Sequence, residues 1–364
     1  MVSKKPGGYY KVINFIKFHF FRRLMLFGIY ENISKTEFED IIGQDQAKVQ
    51  LKSALMADRH VAVFGPPGIG KTTLAKNVAK ILPKLKVNKC DYHCEPENPV
   101  CPSCISGQKK EVVEVQGHER FFRVQGSPDL SAEDLIGDID PVKALKYGPM
   151  SPEVFSPGKI FKANNGILFF DEINRCPEKL QNALLQVLEE RKATISNYEI
   201  DFQANFILIA TMNPKDINTE RLSDVLLDRF DVIYLDYPER DDIEKEIVKS
   251  KGKSILEVPD IVLDSLVGFV RNLRESDKLE KLPSVRATLG LYERSQTCAM
   301  LRGAQKVSMD DLKNSIVSVI AHRIRLKPSI KYLKDTTEFI NEEFETFTQD
   351  MSSASNESEK GDGP

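Results

Sequence analysis

The eight residues Gly65-Pro66-Pro67-Gly68-Ile69-Gly70-Lys71-Thr72 fit the spacing Gly-x-x-x-x-Gly-Lys-[Ser/Thr], and the chemistry of that spacing is the cradling of a phosphate chain. Its glycines let backbone N–H groups turn toward a β-phosphate, and a helix starting at the lysine adds the positive end of its dipole. Lys71 then reaches the β- and γ-phosphates, the Thr72 hydroxyl is a ligand for Mg²⁺, and Thr73 follows in the same first turn. ATP with Mg²⁺ is the expected ligand. The rival reading, a turn with an accidental Lys-Thr, is weakened by context. Residues 61–64 form a short apolar run that reads as a buried strand, and residues 72–81 carry a helical pattern.

Turnover of a nucleotide needs a carboxylate on the metal side and a group that orients water. The apolar run at residues 166–170 ends in Asp171-Glu172. Asp171 is the expected member of the Mg²⁺ shell and Glu172 the expected general base. A third apolar run, residues 206–210, ends in Thr211-Met212-Asn213-Pro214. Asn213 suits a hydrogen bond to the water or the γ-phosphate; its plain alternative is a structural Asn-Pro turn. For Arg229, in Leu226-Leu-Asp-Arg-Phe, spacing alone predicts only a solvated or salt-bridged side chain.

A second set of chemistry-bearing residues is Cys90, Cys94, Cys101 and Cys104, spaced Cys-x3-Cys and Cys-x2-Cys within a polar loop at about residues 88–108. Four clustered thiols in a cytosolic chain more often ligate metal than form stable disulfides, and four thiolates on tetrahedral Zn²⁺ is the simplest arrangement. An iron–sulfur cluster uses the same donors, and unliganded or redox-labile thiols also satisfy the spacing. His93 and His118 are spare donors nearby, read as surface residues. Cys176 and Cys298 stand apart and are read as small apolar residues.

These residues need a scaffold, and the chain can supply one: 364 residues with 41% hydrophobic content allow a large domain and a smaller one. Three short apolar runs separated by helical patterns predict an α/β domain, a parallel sheet with helices on both faces, over residues 36–238. Two β-prone stretches around Ser196-Asn197 predict a hairpin inserted in it. Residues 239–330 read as a small all-helical lid, with ATP expected in the crevice between the two. The stretch from Asp335 is acidic and reads as too polar to bury a core, with a disordered end. Residues 1–35 carry seven Lys/Arg against one Glu, and residues 335–364 nine Asp/Glu against one Lys. Lys11, Lys17, Arg22 and Arg23 interrupt the aromatic N-terminal stretch, which argues against a membrane span and a signal peptide and predicts a cytoplasmic chain. The extension is read as packing on the body rather than as a membrane-surface helix. A net charge of −3, no tryptophan and no basic cluster in the hairpin give no nucleic-acid signal.

From residue 38 to 325 the sequence resembles the AAA+ superfamily of P-loop ATPases. Ile41-Ile42-Gly-Gln-Asp resembles the segment that packs on adenine, residues 167–172 resemble Walker B, and Ala210-Thr-Met-Asn213 resembles sensor 1. Leu227-Asp-Arg229-Phe resembles the arginine-finger segment and Pro283-Ser-Val-Arg286-Ala sensor 2 on a lid helix. The resemblance implies that Arg229 reaches the γ-phosphate held by a neighbouring subunit, and hence a ring, expected to be a hexamer. Within the superfamily, Phe122-Arg-Val-Gln-Gly-Ser-Pro-Asp129, Phe155-Ser-Pro-Gly158 and Asp171-Glu-Ile-Asn-Arg175 resemble the clade of MoxR-type ATPases and the magnesium-chelatase motor subunit. That implies a motor remodelling a separate partner, one with a von Willebrand A domain, for metal insertion. A MoxR-type chaperone and a non-hydrolysing ATP-binding scaffold are the alternatives. Residues after Asn213-Pro214 lack the Glu-Glu-Gly and Arg-Pro-Gln of photosynthetic chelatase motors.

Overall fold

The computed structural model describes residues 33, 37–107, 111–148, 151–190, 192–195, 198–214 and 222–360. The N-terminal extension apart from Ile33, the expected Ser196-Asn197 turn and the last four residues lie outside this set. The chain divides into two compact units, one comprising residues up to 65 and 70–235, the other residues 66–69 and 236–364.

In chain order the first unit contains α1 (Asp45–Met56), β1 (His60–Phe64), α2 (Lys71–Ile81), β2 (Leu85–Asn88), α3 (Pro102–Ile105), β3 (Val112–Val115) and β4 (Phe121–Gln125). It continues through α4 (Ala132–Leu135), β5 (Gly137–Ile139), α5 (Pro141–Tyr147), β6 (Phe155–Pro157), α6 (Lys159–Lys162), β7 (Gly166–Asp171) and α7 (Glu178–Glu190). Then come β8 (Lys192–Ile195), β9 (Tyr198–Gln203), β10 (Phe206–Met212), α8 (Asp224–Leu227) and β11 (Phe230–Tyr234). Five strands form one sheet in the order β11-β1-β10-β7-β4, and every pairing in it is parallel. The three inner strands are the apolar runs, buried on both faces, as a parallel sheet under helices on each side requires. The edge strands β4 and β11 mix buried residues with half-buried and exposed ones, so they lack the continuous apolar signal. One face of the sheet packs Leu168, Phe170 and Leu208 against Phe161, Ile173 and Leu184.

The expected insertion is an antiparallel pair, β8 with β9. At the entry end of β4 a buried arginine, Arg120, donates to the carbonyls of Asn165 and Pro83; burial lowers its pKa to about 10.

The second unit holds α9 (Asp241–Lys251), α10 (Asp260–Glu275), β12 (Leu279–Lys281), α11 (Val285–Leu301), α12 (Met309–Ile320), β13 (Arg325–Leu326), α13 (Pro328–Lys331) and α14 (Thr336–Lys360). Its core gathers Leu266, Phe269, Leu291 and Ile316. Within it Glu244, fully buried, receives a two-pronged ion pair from Arg274 at 2.6 and 2.7 Å and a hydrogen bond from the Thr288 hydroxyl at 2.5 Å. The reading of the stretch from Asp335 as too polar to bury a core is corrected. Phe339, Ile340 and Phe344 recur at helical spacing and are buried in the lid core, while the acidic residues between them take the outer face of α14. An average over the stretch hides three large apolar residues that fall on one side of a helix. Among the described residues no helix is long and apolar enough to cross a membrane.

Candidate nucleotide site

The phosphate-loop residues lie where β1 gives way to α2. Gly68 and Gly70 adopt φ angles of 79° and 99°, values open to glycine and costly for other residues. Gly70 is the N-cap of α2 and no side chain caps the helix, so its first-turn N–H groups face the loop, the arrangement that suits an anion. The loop's entrance is tied to the next strand by the Gly65 N–H, which donates to the Met212 carbonyl at 3.2 Å. Lys71 Nζ bends back to the Gly65 carbonyl at 2.6 Å. Ile41 is buried, and a Cβ placed on Gly70 would stand 3.5 Å from its Cδ1; Ile42 is half-buried beside it.

Sheet order brings the other expected residues to the same end. All five strands run parallel, so residues that follow β1, β10 and β7 leave the sheet along one edge, the edge at which open α/β sheets bind ligands. Asn213, half-buried, leaves β10 next to Gly65, and Asp171-Glu172 leave β7 on the far side of β10. The Asp171 carboxylate accepts a hydrogen bond from the Thr211 hydroxyl at 2.6 Å and an ion pair from Arg123 at 2.6 Å. The Glu172 backbone sits in the left-handed region at φ 55°, with its N–H donating to Thr211 Oγ1 at 3.0 Å. A non-glycine residue pays for that conformation, and such strain persists where surrounding contacts over-determine it. The Glu172 carboxylate accepts from the Gln125 amide at 3.0 Å and lies 3.3 Å from Arg175.

Thr72, Asp171 and Thr211 offer a hydroxyl, a carboxylate and a second hydroxyl, the hard oxygen donors that Mg²⁺ takes. Thr72 and Asp171 are the residues that would hold it.

Arg229 stands elsewhere. It precedes β11, and the register pairs Phe230 with His60, the first residue of β1, whereas the phosphate loop follows Phe64. About 13 Å of strand therefore separates the two ends. Its guanidinium is paired with Glu189 on α7, which raises its pKa, and with Asp228 at 3.1 Å. Arg286 is exposed in the first turn of α11, in the second unit. Cys90, Cys94, Cys101 and Cys104 gather in the segment between β2 and β3. Cys176 is buried in the sheet core and Cys298 is half-buried.

Reasoning from sequence missed the roles of Arg123, Gln125, Gly126 and Thr211. Arg123 and Gln125 alternate along β4 and so share the face that meets the end of β7. Gly126 donates its N–H to the Asp171 carbonyl at 2.7 Å, and a Cβ there would lie 2.0 Å from the Glu172 carbonyl oxygen. The available signal was the alternation of polar residues in Phe121-Phe-Arg-Val-Gln125; which strand they would meet depends on the crossover.

Three families match in succession along the chain: magnesium chelatase, subunit ChlI, over residues 37–119; the ATPase family associated with various cellular activities over residues 107–232; and the AAA lid domain over residues 281–343. The chain is 26% identical over 326 residues to a magnesium-chelatase subunit ChlI homolog of Methanocaldococcus jannaschii, covering 80% of this chain and 86% of that one. It is 28% identical to the chloroplastic magnesium-chelatase subunit ChlI of Glycine max, with coverages of 80% and 75%. To chaperone MoxR1 of Mycobacterium tuberculosis it is 27% identical, with coverages of 79% and 73%. With the phosphate loop, the parallel five-stranded sheet and the helical lid in this order, the chain belongs to the AAA+ ATPases, in the clade of MoxR chaperones and the magnesium-chelatase motor subunit.

Proposed function

We propose that this AAA+ ATPase works as a magnesium-chelatase-like motor, hydrolysing ATP to remodel a partner complex for metal insertion. The observation that carries the hydrolytic half is the order β1-β10-β7, which lines up the phosphate loop, Asn213 and the Asp171-Glu172 pair along one edge of the sheet. In this reading residues 65–73 bind the phosphates, Ile41 and Ile42 pack on adenine, and Arg286 acts from the lid. Glu172, held by Gln125 and Arg175, takes the proton from the attacking water, and Asn213 orients that water. Mg²⁺ bound at Thr72 and Asp171 would supply charge neutralisation for the phosphates.

Arg229 is too far along the sheet to serve its own subunit's phosphate loop, which supports a role across a subunit boundary and therefore a ring, in our reading a hexamer. Its partner is proposed to be a separate protein carrying a von Willebrand A domain. Four unpaired, clustered thiols support a reducing compartment, the cytoplasm. A MoxR-type chaperone acting on another protein is the second reading, favoured by the similar identity to MoxR1 and by the missing Glu-Glu-Gly and Arg-Pro-Gln segments.

Glu172→Gln tests the core of the proposal. Hydrolysis is expected to fall at least about 100-fold, the scale of general base catalysis, while ATP stays bound. Turnover at the wild-type rate would sink the assignment of the base, and absence of turnover in the wild type would favour an ATP-binding scaffold. The same variant, loaded with ATP, traps what the motor acts on: a von Willebrand A protein together with a large tetrapyrrole-binding subunit supports the chelatase role, and a different client supports the chaperone.

A further inference from the structure

The segment between β2 and β3 is the part of the first unit that the ATPase mechanism leaves without a task. β2 and β3 pair antiparallel, and the chain between them carries Cys90, Cys94, Cys101 and Cys104. Their four sulfur atoms all lie within 4.8 Å of one another. Cys94 and Cys101 are buried and the other two half-buried, and none of the four is in a disulfide. Four thiols packed this closely without bonds between them need a reason. A single ion at the centre supplies one, since Zn–S bonds of about 2.3 Å on a tetrahedron set the sulfurs about 3.8 Å apart. A cluster of several irons interposes sulfides between the metals and spreads its cysteines wider than a single ion does.

A second observation points to thiolates. Backbone N–H groups are aimed at the sulfurs: Cys94 N–H at Cys90 Sγ (3.5 Å), and Val100 and Cys101 N–H at Cys94 Sγ (3.4 and 3.3 Å). A thiol is a weak acceptor, whereas a sulfur carrying negative charge gains from such donors. Three backbone amides thus fold over the sulfurs of Cys90 and Cys94.

We propose that Cys90, Cys94, Cys101 and Cys104 bind one Zn²⁺ as four thiolates, forming a structural site that fastens the β2–β3 segment to the entry ends of β7 and β10. Each thiol gives its proton to solvent on binding, so Zn²⁺ and four thiols yield a tetrathiolate of charge −2 and four protons. With four protein ligands the ion has no open position for chemistry. The fastening runs through Tyr92 and His93, two of the three residues between Cys90 and Cys94. The Tyr92 carbonyl accepts from Asn164 Nδ2 at 2.8 Å, the His93 carbonyl from Asn165 Nδ2 at 3.2 Å, and His93 Nδ1 lies 3.0 Å from the Lys162 carbonyl. Asn164 and Asn165 lead into β7. They also hold Asn205, which leads into β10, through Asn205 N–H to Asn164 Oδ1 at 3.0 Å and Asn165 N–H to the Asn205 carbonyl at 2.6 Å. Hence the site braces the strands at the end opposite Asp171, Glu172 and Asn213.

The test is metal analysis of the full chain purified anaerobically. One zinc per chain is expected, together with the intense red-region absorption of tetrahedral tetrathiolate cobalt when Co²⁺ is loaded into the reduced apoprotein. Cys101→Ser should abolish stoichiometric zinc, and Cys298→Ser, outside the cluster, should retain it. If Cys101→Ser fails to fold, release of zinc from the wild-type chain by a thiol-specific mercurial, read with a metallochromic dye, reports the same ligands. Loss of the metal should lower the melting midpoint by about 10 °C, on the scale of a few kcal/mol for a unit of this size. Less than a tenth of an equivalent of zinc with no cobalt spectrum, iron with acid-labile sulfide, or zinc lost equally in Cys298→Ser would each overturn the proposal.

Discussion

The side-chain amide of Gln125 donates to the carboxylate of Glu172 at 3.0 Å, bridging the last residue of β4 and the residue that follows β7. The register that pairs Gln125 with Asp171 makes this bond a consequence of strand order, not of sequence proximity. A general base works when its lone pair points at the water, and the amide fixes one oxygen so that the other is free to do so. Gln125→Ala is expected to lower kcat about 10-fold with KM for ATP changed less than about twofold, the pattern of an interaction that counts in the transition state. Gln125→Glu sets a like charge against Glu172 and should lower kcat further than Gln125→Ala does. Unchanged kinetics in both variants would remove Gln125 from the machinery.

Gly126 controls the same carboxylate through the backbone. Any side chain there meets the Glu172 carbonyl oxygen at 2.0 Å, and that oxygen belongs to rigid backbone already held in the left-handed region. Gly126→Ala should therefore displace Glu172, cutting hydrolysis more than about 10-fold, and destabilise the unit by about 1–3 kcal/mol, the usual cost of overpacking. Steady-state ATPase rates and denaturant unfolding of the same preparation check both parts.

What could be read in advance follows the physics of burial. The three inner strands and the phosphate loop were legible because a strand buried on both faces is a continuous apolar run and a phosphate cradle needs glycine and lysine at set spacing. β4 and β11 were not, because Phe121-Phe-Arg-Val-Gln125 and Phe230-Asp-Val-Ile-Tyr234 are edge strands with one open face. Losing β4 meant losing Arg123 and Gln125, whose meaning appears only when β4 is laid against β7. The helix α14 was missed for a different reason: Phe339, Ile340 and Phe344 are diluted by acidic neighbours, and their common face shows only with the lid core in place.

Arg229 offers a test of the ring. Its ion pair with Glu189 joins α7 to the entrance of β11, and both groups are partly exposed at the opposite end of β1 from the phosphate loop. If Arg229 acts as proposed, Arg229→Ala should reduce hydrolysis about 10³-fold or more, the scale of an arginine finger, while nucleotide affinity stays within a few-fold. Mixing Arg229→Ala chains with Lys71→Ala chains creates boundaries where an intact phosphate loop faces an intact arginine, so activity should partly return. Titrating one variant into the other while following phosphate release decides the matter; a mixture as inactive as its parts would mean that the two residues do not form a shared site.

His60 makes the first unit sensitive to acid. Its ring is half-buried at the start of β1, Nδ1 accepts the Leu208 N–H at 3.0 Å, and desolvation lowers its pKa from 6.5 to about 4. The folded state thus holds the neutral ring, while the unfolded chain takes up a proton below about pH 6.5. The sign follows: this contribution is fully present above pH 6.5 and is lost as pH falls toward 4, by up to about 3 kcal/mol at 1.36 kcal/mol per unit. His60→Asn keeps an acceptor for the Leu208 N–H without a titrating group. Urea unfolding from pH 7.5 to 4 should show a shallower loss of stability in the variant, with the two curves diverging below pH 6.5. Parallel curves across that window would mean that the His60 ring is protonated in the folded state as readily as in the unfolded one.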